Sequence, residues 1–167
     1  MNHISKLILI ATLFFPACVL AAAHVHGKGR LDLVVDGAEF TISMELPLDS
    51  LIGFEHAPRT PAERATLSAA LKQLQEAATL FLPSVAARCS VKSVQVADPF
   101  SGKDGKPGHA DIDADYVFSC ASPAALKAVE VRLFKMFQRL HSLEFQRATP
   151  AGQAGGSLSP GQNVVRW

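Results

Sequence analysis

Residues 30–46 alternate apolar and polar side chains with a period of two, a pattern that suits an extended chain with one buried face. Leu31, Leu33 and Val35 share one face, and Phe40, Ile42, Met44 and Leu46 continue it. Asp36-Gly37 supplies a two-residue turn between the runs, so a β-hairpin is expected. The alternation returns over residues 109–120. Ala110, Ile112, Ala114, Tyr116, Phe118 and Cys120 are apolar, whereas His109, Asp111, Asp113 and Asp115 take the odd positions. Such a strand buries one face and displays an imidazole and three carboxylates on the other.

A half-buried sheet needs a cover, and the sequence offers one. Thr60-Pro61-Ala62-Glu63 combines a capping box with proline at the first helical position. Leu67, Leu71, Leu74, Ala78 and Phe81 then recur at helical spacing as far as Pro83, which predicts one long amphipathic helix. Residues 89–96 read as a strand, residues 97–108 as a loop rich in glycine and proline, and residues 143–148 as a strand. Ser122-Pro123 opens a helical turn, after which residues 126–137 fit a strand and a helix equally well. The glycine-rich run after Pro150 reads as a loop that leads to a short apolar end, residues 164–167. The expected class is therefore α+β: an antiparallel sheet with one long helix and short helices packed on one face.

The amino terminus has the pattern of an export signal. Lys6 ends a short basic region, residues 7–15 are apolar, and Ala21, Ala22 and Ala23 are small enough for processing. Residues 1–23 are expected to be a signal peptide and residues 24–167 a single metal-binding domain; cleavage after Ala21 is the competing choice. No second apolar run of membrane-spanning length follows, so no membrane insertion is expected after cleavage. The leader removes one base and no acid, which leaves basic and acidic residues equal in number. That balance gives no basic surplus for nucleic acid or an anionic membrane surface. Cys18 leaves with the leader, and an even pair in an oxidising compartment favours a Cys89–Cys120 disulfide.

Chemistry-bearing residues gather in a few short blocks. His24-Val25-His26-Gly27 places two imidazoles on one side of an extended segment, roughly 6–7 Å apart, close enough to close on one ion. Taken alone the H-x-H pair is weak, because histidines near termini are usually solvated. His109 and Asp111 offer a nitrogen and a carboxylate on one strand face, with Asp113 within reach. Glu55-His56 lies in the irregular segment after the hairpin, where the backbone can aim a side chain. His141, beside an apolar stretch, reads as structural. The candidate metal ligands are thus His24, His26, Glu55, His56, His109, Asp111 and Asp113. The chain has no G-x-S-x-G elbow, no H-E-x-x-H and no phosphate-cradling glycine loop, and no enzyme activity is expected.

Together the blocks His24-Val25-His26-Gly27, Gly53-Phe54-Glu55-His56-Ala57-Pro58, the strand from His109 through Cys120 and Pro150-Ala151-Gly152-Gln153 carry a resemblance. Over nearly the whole mature chain they resemble the ZrgA-like zinc-regulated periplasmic proteins of Gram-negative bacteria. The resemblance implies a periplasmic zinc-binding protein in zinc acquisition or homeostasis, beside an ABC-type transport system. Members of that family often carry a histidine-rich insertion before the H-x-D strand, and residues 98–108 here contain no histidine. That departure argues against high-capacity zinc buffering and for one or two defined sites.

Two rivals follow from the same residues. A mature terminus at His24-Val25-His26 would offer an amine, amide nitrogens and an imidazole, a square-planar set for copper or nickel. Alternatively, the polar sheet face serves as a metal-independent docking module for an envelope transporter.

Overall fold

The computed structural model describes residues 26–101 and 110–167. The expected leader, His24 and His109 lie outside the described residues, as does most of the loop expected after residue 97. The hairpin is formed by β1 (Lys28–Asp36) and β2 (Glu39–Pro47), paired antiparallel from Arg30↔Glu45 to Asp36↔Glu39. Its loop is Gly37-Ala38 instead of Asp36-Gly37, because the facing of Leu33 with Ile42 and Leu31 with Met44 sets the register. Gly37 has φ +56°, which suits the glycine-first position of a type II′ turn.

Short helix α1 (Leu48–Ile52) follows β2 directly, and its Leu48 and Leu51 are buried. The capping box is present: Thr60 accepts from the Glu63 amide, Glu63 accepts from the Thr60 amide, and α2 (Pro61–Leu74) begins at Pro61. The predicted helix is shorter than its periodicity suggests. It stops at Leu74, a single turn α3 (Ala77–Leu80) follows, and Phe81 enters β3 (Phe81–Pro83). The buried set is Leu67, Ala70, Leu74, Ala77 and Leu80, so the apolar phase slips by one residue and Ala78 is exposed. Leu82 precedes a proline and disfavours helix, and Phe81 pairs instead with Val131.

β4 (Cys89–Val96) and β5 (Asp111–Cys120) form as expected, with β5 also paired to β2. Ile112, Ala114, Tyr116, Phe118 and Cys120 are all buried. Cys89 and Cys120 stand opposite one another and form the disulfide. The ambiguous segment contains both elements in succession, β6 (Ala128–Val131) and then the helical turn α4 (Leu133–Met136). β7 (Ser142–Thr149) runs parallel to β1, so the main sheet is mixed.

The run after Pro150 is a strand, not a loop: β8 (Gly152–Leu158) pairs antiparallel with β7 at the sheet edge. Backbone ladder bonds need no side chains, and Gly156 permits close packing, since a Cβ there would lie 2.9 Å from Phe145 Cε1. The main sheet is ordered β4-β5-β2-β1-β7-β8, and β3-β6-β9, with β9 (Val164–Arg166), forms a second sheet. Ring contacts join the second layer to the inner face of the first, Phe81 to Tyr116 at 4.8 Å and Trp167 to Phe40 at 6.0 Å.

Tyr116 is fully buried, and its hydroxyl has no hydrogen-bond partner among the described residues. Burial, aided by the charge of Asp115, raises its pKa well above the ordinary phenol value. The folded protein keeps a proton that the unfolded chain releases above about pH 10, so the buried hydroxyl destabilises the fold only as pH climbs through the alkaline range. Tyr116→Phe is expected to match or exceed the native stability at neutral pH, since it removes an unpaired polar atom. It should also lessen the alkaline loss. Urea unfolding at about pH 7 and about pH 10.5 checks both expectations, and a large neutral-pH loss would show that the hydroxyl contributes to the fold.

Candidate metal centre

The side chains that converge do so because two glycines hold the backbone in left-handed geometry, Gly27 just before β1 and Gly53 at the end of α1. Pro47, with φ −56°, leads from β2 into the helix; Leu48 and Leu51 take the core side, and Asp49 stands in the first turn. Gly53, at φ +87°, ends α1, and its amide donates to the Asp49 carbonyl at 2.8 Å. This reverses the chain, so Glu55 lies close to the first turn it has just left. A Cβ at Gly53 would lie 2.9 Å from Arg139 Cζ, so a side chain there meets both strain and a neighbour.

Gly27, at φ +77°, is fixed from several directions before β1 begins. Its amide donates to Ser50 Oγ at 2.9 Å, and its carbonyl accepts from the amides of His141 at 2.8 Å and Ser142 at 3.0 Å. A Cβ at this position would lie 2.8 Å from His141 Cδ2. Ser50 is buried, and its hydroxyl, besides accepting from Gly27, donates to Asp49 Oδ1 at 3.3 Å. One hydroxyl therefore links the residue that follows His26 to the carboxylate of Asp49.

The outcome is a three-residue cluster. His26 Nδ1 contacts Asp49 Oδ2 directly and lies 3.7 Å from Glu55 Oε1. One donor atom from each of His26, Asp49 and Glu55 falls within 4.8 Å of the others. Imidazole nitrogen and carboxylate oxygen are both zinc donors. Four ligands at about 2.1 Å in a tetrahedron stand about 3.4 Å apart, so side-chain rotations of about an ångström would close this set on an ion. The donor chemistry fits a divalent metal.

Of the residues singled out in the sequence, His26 and Glu55 meet here. Asp49 was not among them. Its signal was the Leu48/Leu51 spacing, which marks one helical turn with an inner face and leaves Asp49 outside, next to the G-F-E-H block. His56 lies outside the cluster: its ring stacks on Phe54 at 5.1 Å, and Nδ1 lies 3.0 Å from the Ala57 carbonyl. Asp111 is half-buried opposite Pro47, where the Leu48 amide donates to the Ala110 carbonyl at 2.8 Å, so the H-x-D strand enters the sheet beside α1. Asp113 is exposed opposite Glu45, in a shallow polar hollow shared with Arg30, Asp32 and Asp115.

A family model described as ZrgA family zinc uptake protein matches residues 23–167. The chain belongs to the ZrgA family. No curated protein matches it. As a ZrgA protein it is a periplasmic zinc-binding protein and not a catalyst, and its described residues hold a His/Asp/Glu cluster able to coordinate a divalent metal. No described helix is long and apolar enough to cross a membrane.

Proposed function

We propose that His26, Asp49 and Glu55 form the zinc-holding centre of this ZrgA protein, and that residues 24–167 act as one unit supplying zinc to an ABC-type transport system. The observation that carries this reading is the convergence of one imidazole and two carboxylates, from separate chain segments, on one point. Asp111, beside the start of α1, is the next donor we assign to the centre, and the H-x-H and H-x-D blocks supply His24 and His109 as further donors. We assign no coordination to His56, given the approach of its Nδ1 to the Ala57 carbonyl, or to Asp113, across from Glu45.

Copper and nickel accept the same donors, and copper often binds them more tightly, so availability helps set the metal. Membership of a zinc uptake family favours zinc. Titration calorimetry on chelator-stripped protein is expected to show zinc uptake that His26→Ala and Glu55→Gln each weaken. Undiminished zinc affinity in both variants would remove the assignment. Repeating the titration with copper and nickel tests the metal.

A further inference from the structure

The three donors of the cluster are not held alike. The side chains of Asp49 and Glu55 are 21% and 17% exposed, whereas that of His26 is 70% exposed. Asp49 sits on a helix whose Leu48 and Leu51 are packed in the core, and it also receives the Ser50 hydroxyl. Glu55 follows the Gly53 reversal, which is closed in by Arg139. The backbone after His26 is pinned through Gly27, yet the ring itself projects into solvent. Zinc-binding histidines are usually steadied by a hydrogen bond from the second ring nitrogen, and among the described residues Nε2 of His26 has no such partner.

Resting on the reading of this cluster as a zinc site, we propose that zinc leaves it by associative exchange on the His26 side, to an acceptor that presents an imidazole. Zinc tolerates a transient extra ligand, because its filled d shell imposes no geometry. A neutral acceptor imidazole forms a new Zn–N bond, and the bond to His26 Nδ1 breaks as its ring swings out to solvent. No electron moves, and no proton moves either, because the two imidazoles exchange in the same state. The bonds to Asp49 and Glu55 break last, each replaced on the ion by a further donor of the acceptor. An imidazole acceptor suits an oxidising compartment, where thiols tend to be lost to disulfides.

The test mixes zinc-loaded protein rapidly with rising concentrations of a fluorescent His-x-His peptide. The expected result is a release rate that grows in proportion to peptide concentration. In the protein titrated with zinc and excess imidazole, the His26 ring resonances should return toward their metal-free positions while zinc remains bound. A release rate independent of peptide concentration, or a His26 ring that stays in its zinc-bound state, overturns the proposal. Calorimetry on the same samples separates the two levels of the reading. Absence of zinc uptake sinks the site itself, whereas normal uptake with concentration-independent release sinks only the exchange route.

Discussion

The protein with both Cys89 and Cys120 replaced by alanine is expected to lose about 3–4 kcal/mol of stability, the chain-entropy value for closing a loop of about 30 residues. The disulfide joins directly opposed residues at the ends of β4 and β5 across a sequence separation of 31. β4 needs this link more than the central strands do. It is an edge strand, its register shifts between Val91 and Ser93, and most of its residues are exposed. A loss of that size is a large fraction of the 5–15 kcal/mol typical of a folded domain, and at about 1–3 kcal/mol per molar urea it moves the midpoint by about 1–4 M. Urea unfolding of the double variant, set beside the native protein under reductant, provides the measurement. A shift well below about 1 M in both would mean that β4 is held by its ladder and packing alone.

The sequence revealed those parts of the fold whose causes are local. The alternations in β1, β2 and β5 predicted their buried faces, since a period of two assigns each residue a side once one face is covered. The α2 start was equally readable, because the capping box and the proline act within one helical turn. β8 was hidden because its Gly-Gln-Ala-Gly-Gly segment has almost no side chains to carry a pattern, and its pairing depends on β7 being beside it. Phe81 was assigned to a helix because its partner, Val131, is distant in sequence. The parallel pairing of β7 with β1 is likewise a long-range choice.

The metal centre divides in the same way. His26 and Glu55 were visible as members of unusual blocks, whereas Asp49 belongs to none. Its role becomes apparent only when the Gly53 reversal and the Gly27 anchor bring three segments together. Donor types can be recognised along a chain, but convergence is a property of turns and of the packing that holds them.

Ser50→Ala is therefore expected to lower zinc affinity about 10–100-fold, the usual effect of losing a residue that orients a ligand. Asp49→Asn, which removes a charged donor, should lower it at least as far. The serine hydroxyl accepts from Gly27 and donates to Asp49, so its loss loosens the segment carrying His26 and one carboxylate together. The same change leaves the Gly27 amide without its hydroxyl partner and should cost about 1–3 kcal/mol of stability. Affinity must accordingly be measured where circular dichroism shows the variant fully folded. Ser43→Ala is the matched control. Ser43 also donates to an aspartate, Asp115 at 2.6 Å, but this pair lies four residues further along β5 than Asp111, and its removal should leave zinc binding unchanged. Equal affinities for Ser50→Ala and Ser43→Ala would mean that the cluster is positioned without the serine, and that the Gly27 carbonyl bonds to His141 and Ser142 are sufficient to place His26.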